Sequence, residues 1–135
     1  MSDTASPELF WLTLTAVWTA LLWAPYAAVR IRKIGWVRVF IDPVPGDDPF
    51  EAAWAHRAYR AHMNAIETLL PFAAVCLAAV VAGAANEITE TAAMVFFWSK
   101  IAHPPIYISK IPVLRLLNFM LGLGATLTVA YQLLF

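Results

Sequence analysis

Leu9–Val29, LFWLTLTAVWTALLWAPYAAV, runs for 21 residues without a charged side chain. At about 1.5 Å per residue, a helix of that length crosses roughly 30 Å of hydrocarbon. The stretch therefore predicts a first transmembrane helix at about residues 9–29. Pro25 can kink it near its end, which a membrane helix tolerates when neighbours cover the freed carbonyl. Arg30-Ile31-Arg32-Lys33 follows as a basic collar, and a loop is expected over residues 30–50.

Working outward, two more charge-free runs appear. Thr68–Asn86 forms the apolar half of a helix expected at about 52–85, and Leu116–Phe135 supplies 20 uncharged residues for one at about 114–135. Between them a third helix is expected at about 91–109, interrupted by Lys100 and His103 and bent at Pro104-Pro105. Asp42–Pro49 holds three prolines and a glycine and reads as loop, and Asn86–Glu90 as a short acidic turn. The pattern predicts one domain over residues 1–135, an all-α membrane protein with a bundle of four transmembrane helices.

Composition agrees. The chain is 61% hydrophobic and 13% charged, against about 45–50% and about 25% in soluble domains. A soluble surface needs more charge than this. The formal net charge is zero, so nothing draws the chain to nucleic acid. The lone Cys76 lies in an apolar run and reads as a packed thiol. Met1–Glu8 has no Lys or Arg and so lacks the basic start of a signal peptide; the first apolar segment is expected to be retained.

The basic residues set an orientation. Arg30, Arg32, Lys33, Arg38, Arg57 and Arg60 flank the first connection, and Lys110 and Arg115 the third. Both termini and the second connection lack Lys and Arg. By the positive-inside rule both termini face away from the cytoplasm.

Polar groups inside the spans need a reason to be there, since an ionisable side chain at mid-bilayer costs about 2.5–3.5 kcal/mol on insertion scales. Arg57, Arg60, Asn64 and Glu67 are spaced by three, four and three, one stripe covering roughly 80° of a helix. Long side chains snorkelling to water would explain much of it. Glu67 fits that reading badly, because it is deep in the helix and short. Lys100, His103, Tyr107 and Lys110 repeat the spacing. Glu67 is the one acid within a span, so a Glu67–Lys100 ion pair is expected, either purely structural or part of a site. His103 alone reads as a packing or hydrogen-bonding group. No second His, Cys or acid stands at ligand spacing, so no metal site is expected. The two stripes with Arg115 predict a cationic, partly buried pocket for a small polyanion beside a lipid-accessible groove.

Arg57-Ala-Tyr-Arg60-Ala-His-Met-Asn64-Ala-Ile-Glu67-Thr68, followed by Leu-Leu-Pro71-Phe72, resembles the helix 2 signature of the MAPEG family, the membrane-associated proteins of eicosanoid and glutathione metabolism. Val29–Lys33 is similar to the end of that family's helix 1, and His103–Gly122 to the helix 3–4 corner of its bacterial members. The resemblance implies a homotrimer in a bacterial inner membrane, with glutathione as cosubstrate bound between protomers. It implies glutathione contacts from Arg60, Asn64, Glu67 and Tyr107, with Arg30 contributed by an adjacent protomer. Arg115 matches an arginine that stabilises the glutathione thiolate. Leu116 and Phe119 stand where the family's prostaglandin isomerases carry a serine and a tyrosine, which argues against that chemistry here.

Three functions fit these residues. The first is a glutathione transferase or peroxidase acting on hydrophobic small molecules or lipid hydroperoxides. The second is a lipid-binding or scaffolding protein without catalysis, and the third a small ion or proton pathway through Glu67, Lys100 and His103.

Overall fold

The computed structural model describes residues 6–41 and 52–135. The proline-rich stretch Asp42–Pro49, expected to be a loop, lies outside the described residues. Five helical segments follow one another: α1 Pro7–Leu21, α2 Ala24–Ile41, α3 Ala53–Val81, α4 Glu87–Ile108 and α5 Pro112–Leu134.

The first apolar run is divided, and it does not stop at Val29. Pro25 has no N–H to donate into the preceding turn, so α1 ends at Leu21 and α2 begins with the proline in its first turn, where that donor is not needed. The Arg30–Lys33 cluster, expected to open a loop, is helical instead. No helix breaker occurs between Pro25 and Gly35, and Gly35 interrupts α2 with φ 80° and ψ 159°. The acidic turn expected at residues 86–90 is likewise the start of α4. Asn86 caps it, its side chain accepting from the N–H groups of Ile88 (2.8 Å) and Thr89 (3.1 Å), while Thr89 Oγ1 accepts from the Asn86 N–H at 2.8 Å. Glu87 and Glu90 then lie in the first turn, where the helix dipole favours negative charge.

Cross-helix contacts give the topology. Phe72 stacks on Phe96 with centroids 3.8 Å apart, and Arg57 Nε donates to the Ile108 carbonyl at 3.1 Å, so α3 and α4 are antiparallel. Asn86 donates to Gln132 at 2.9 Å, and Asn118 to the Ser99 carbonyl at 3.0 Å, which sets α5 antiparallel to α4. Thr89 donates to Glu8 at 2.6 Å and Trp18 to the Lys100 carbonyl at 3.0 Å, so α1 runs with α4. The result is an up-down-up-down bundle in which α3 and α4 form the central pair, α1 packing on one side and α5 on the other. Tyr26 pins α2 to α3 through a 2.7 Å hydrogen bond with His62 Nδ1.

The core is built of Leu12, Phe72, Cys76, Ala79, Ala92, Ala93, Phe96, Ala125 and Val129. The many alanines let backbones approach closely, which is how membrane helices pack when lipid is as apolar as the interface. Pro7–Ile41, Ala53–Val81 and Pro112–Leu134 are long and apolar enough to cross a membrane. In α4 the polar residues Thr89, Ser99, Lys100 and His103 are all buried against other helices, so these four do not face lipid. Large apolar side chains instead cover the outside, such as Leu70 and Val81. The chain is an all-α, multi-pass membrane protein.

Candidate functional site

At the end of the bundle where α4 turns into α5, two cavities adjoin. One, of about 440 Å³, is lined by Asn64 of α3, His103 and Tyr107 of α4, and Pro112, Arg115, Leu116 and Phe119 of α5. The other, of about 310 Å³, is lined by Tyr59, Arg60, Met63, Asn64 and Glu67 of α3 and by Tyr107. Asn64 and Tyr107 belong to both and form the wall between them.

Local structure explains the convergence. Arg60, Asn64 and Glu67 share a face because three- and four-residue steps return to one side of a helix. The α4–α5 connection is short: Lys110 takes a left-handed conformation with φ 63°, and Ile111 precedes Pro112 at the start of α5. That tight corner folds Arg115 back over Tyr107, with the guanidinium carbon 5.3 Å from the ring centroid. The ring's negative face attracts the cation and restricts where it rests.

Two polar atoms in this wall have no partner within the chain. Asn64 Oδ1 and His103 Nε2 are both buried and without a hydrogen bond. An unsatisfied buried polar group costs about 1–3 kcal/mol, so each is a place where a ligand would be welcome. The network assigns the histidine proton. Asn118 Nδ2 donates to the Ser99 carbonyl and lies 3.3 Å from His103 Nδ1. Its second hydrogen makes Nδ1 the acceptor and leaves the proton on Nε2, at the cavity wall. The site thus offers cations at Arg60 and Arg115, an acceptor at Asn64, an acid at Glu67 and a donor at His103.

Of the residues expected from sequence, Arg60, Asn64, Glu67, Tyr107 and Arg115 are brought together. Arg30 lies on α2 and lines neither cavity. His103 joins the site although in sequence it reads as a packing group; its position one turn before Tyr107 was the available signal.

The expected Glu67–Lys100 ion pair is not formed. Glu67 faces outward from α3, while Lys100 is 1% exposed and turns toward α5. Its ammonium sits 4.8 Å from the centroid of the Phe96 ring. Gly122 makes the room, since a Cβ there would meet Ser99 Oγ at 3.2 Å and Lys100 Nζ at 3.4 Å. An aromatic quadrupole and a missing side chain, not a carboxylate, accommodate this cation.

The sequence profile of the MAPEG family matches residues 9–135. The chain belongs to the MAPEG family. Among curated proteins, human microsomal glutathione S-transferase 1 is 33% identical over 79 residues, a stretch covering 58% of this chain and 51% of that protein. This MAPEG chain therefore matches about half the length of that relative. No solved structure matches this chain.

Proposed function

We propose that this protein is a glutathione-dependent transferase or peroxidase that takes its second substrate, a hydrophobic electrophile or lipid hydroperoxide, from the bilayer. The observation that carries the reading is the convergence of Arg60, Asn64, Glu67, Tyr107 and Arg115 from three helices onto two adjoining cavities. The similarity to a microsomal glutathione S-transferase supports the choice of ligand.

In this reading Arg60 holds a glutathione carboxylate, and Glu67 the tripeptide's ammonium or amide groups. Asn64 Oδ1 and His103 Nε2 complete their hydrogen bonds on the peptide. Arg115 stands by the sulfur. A free thiol with a pKa near 8.5 is mostly protonated at neutral pH, and a cation a few ångströms away lowers that value by about 1–3 units. The thiolate attacks an electrophilic carbon, a C–S bond forms, and the leaving group departs with the bonding pair. With a hydroperoxide it attacks the terminal oxygen, the O–O bond breaks, an S–O bond forms, and the departing alkoxide takes a proton from water to become the alcohol. The resulting sulfenic acid then condenses with a second glutathione to disulfide and water. Leu116 and Phe119 give the cavity an apolar wall for the lipid-soluble partner.

The working unit is a homotrimer in a bacterial inner membrane, with both termini away from the cytoplasm. Exposure along one α3 face supports assembly: Arg60 and Glu67 are followed there by Leu70, Pro71, Ala74, Leu77 and Val81, all exposed in a single chain. Charges at such a position are tolerable when a neighbouring subunit covers them. Arg30, whose Nε is buried without a partner, would then reach the site of an adjacent protomer.

The test is the ultraviolet absorbance of bound thiolate in purified protein. It is expected to vanish in Arg115→Leu while glutathione still binds. Absence of any glutathione binding by the native chain would overturn the reading in favour of a scaffold.

A further inference from the structure

On the other flank of α5 lies a separate cavity. It runs between α4 and α5 at the end of the bundle remote from Arg115 and has a volume of about 570 Å³. On α4 it uses positions 87, 88, 91, 92 and 95, and on α5 positions 120, 121, 124, 125 and 128. The two sets share one spacing, so two antiparallel helices contribute matching faces. Gly124, Ala92 and Ala125 keep the floor low, and Ile88 and Leu121, both half-exposed, form the walls. Eight residue steps at about 1.5 Å each make the groove about 12 Å long, close to the depth of one bilayer leaflet.

Its chemistry is selective. Thr91 and Thr128 line it, yet their hydroxyls already donate to the Glu87 and Gly124 carbonyls at 2.8 and 2.9 Å. The walls therefore offer no free side-chain donor, and the one charged lining group is the Glu87 carboxylate at the mouth. Glu90 stands nearby, and no Lys or Arg occurs from residue 61 to 99 or after Arg115. An apolar trough with an acid at its rim fits a chain that carries a positive head.

We propose that this groove binds one acyl chain of a membrane phospholipid whose head group bears an ammonium, with the ammonium at Glu87. The site is independent of the glutathione cavities, and its occupant lies along the outer surface of the α4–α5 hairpin.

The experiment uses the full chain, purified in detergent, stripped of lipid and incubated with equimolar phosphatidylethanolamine and phosphatidylglycerol vesicles. Retained lipid is read by native mass spectrometry. The native chain is expected to keep the ethanolamine lipid in preference, and Glu87→Gln to reduce that preference by about two- to fivefold, the scale of an exposed charge pair. Gly124→Leu fills the groove from a position where a Cβ meets nothing within 4 Å, and is expected to lose the lipid while keeping glutathione binding. A photoreactive acyl chain should label peptides containing Val95 or Met120. Equal retention of both lipids by the native chain overturns the head-group assignment, without reference to any variant. Unlabelled Val95 and Met120 peptides, with a disulfide joining two chains through Leu121→Cys, would give the groove to a second copy and overturn the proposal.

Discussion

The indole N–H of Trp18 donates to the carbonyl oxygen of Lys100 at 3.0 Å, and that carbonyl is the one Pro104 leaves without a helical donor. A proline inside a helix removes the N–H that would bond four residues back. In lipid no water replaces it, so a neighbouring helix must. The long, proline-containing α4 thus depends on α1 for one of its own backbone bonds.

Trp18→Phe should therefore destabilise the protein by about 1–3 kcal/mol, the cost of a buried carbonyl left unpaired plus lost packing. In a Pro104→Ala background the backbone N–H gained at that position would reach the same carbonyl, and the penalty should shrink by about 1 kcal/mol, the net worth of one hydrogen bond. Unfolding of the four variants in detergent gives the coupling directly. Equal penalties in both backgrounds would mean that the indole bond does not serve the proline.

Lys100 offers a second test. A buried ion pair broken at one end costs about 3–5 kcal/mol. Because Lys100 meets Phe96 and Gly122 and no acid, Lys100→Met should change stability by less than about 1.5 kcal/mol, as for swaps of similar volume. Glu67→Gln, on an exposed face, should stay within about 0.5 kcal/mol. Gly122→Ala, which drives a methyl against Ser99 and Lys100, should cost about 1–3 kcal/mol. Matching large losses for Lys100→Met and Glu67→Gln would restore the ion pair.

For the ligand, Arg60→Ala should weaken glutathione binding by roughly 10- to 150-fold, the scale of a hydrogen bond to a charged group. Asn64→Leu should weaken it by a smaller factor, roughly two- to tenfold, the scale of a neutral hydrogen bond. Titration calorimetry on the purified protein is the measurement. Unchanged affinity in Arg60→Ala would remove that residue from the site.

Tyr107 holds Arg115 through its ring, so the hydroxyl is dispensable for that contact. Tyr107→Phe should keep the thiolate absorbance, whereas Tyr107→Leu should lower its yield about two- to fivefold, as expected for about 0.5–1 kcal/mol of cation–π attraction. Equal loss in both variants would assign the effect to the hydroxyl instead.

Reading the site from sequence works where one helix carries the whole signal. Arg60, Asn64 and Glu67 share a face through backbone periodicity, whatever packs beside them. It fails for Lys100, because singling out Glu67 as the one acid expected within a span does not select a partner. An aromatic ring on its own helix and a glycine on the next supply the accommodation instead. His103 is undervalued in sequence for a similar reason: its importance comes from Asn118 fixing its tautomer across the α4–α5 contact. Likewise, the basic cluster at Arg30 suggests a helix stop, although charge alone does not break hydrogen bonding along a helix.

Sequence alone determined that this chain is helical and lives in a membrane, because runs of 21 and 20 uncharged residues leave too little polar surface for water and too many backbone dipoles for lipid. It also placed the polar stripe of α3, a matter of about 3.6 residues per turn. Which side chains meet across helices was decided only by tertiary structure. That choice rests on rotation, small-residue contacts and carbonyls freed by proline, and these depend on neighbours distant in sequence.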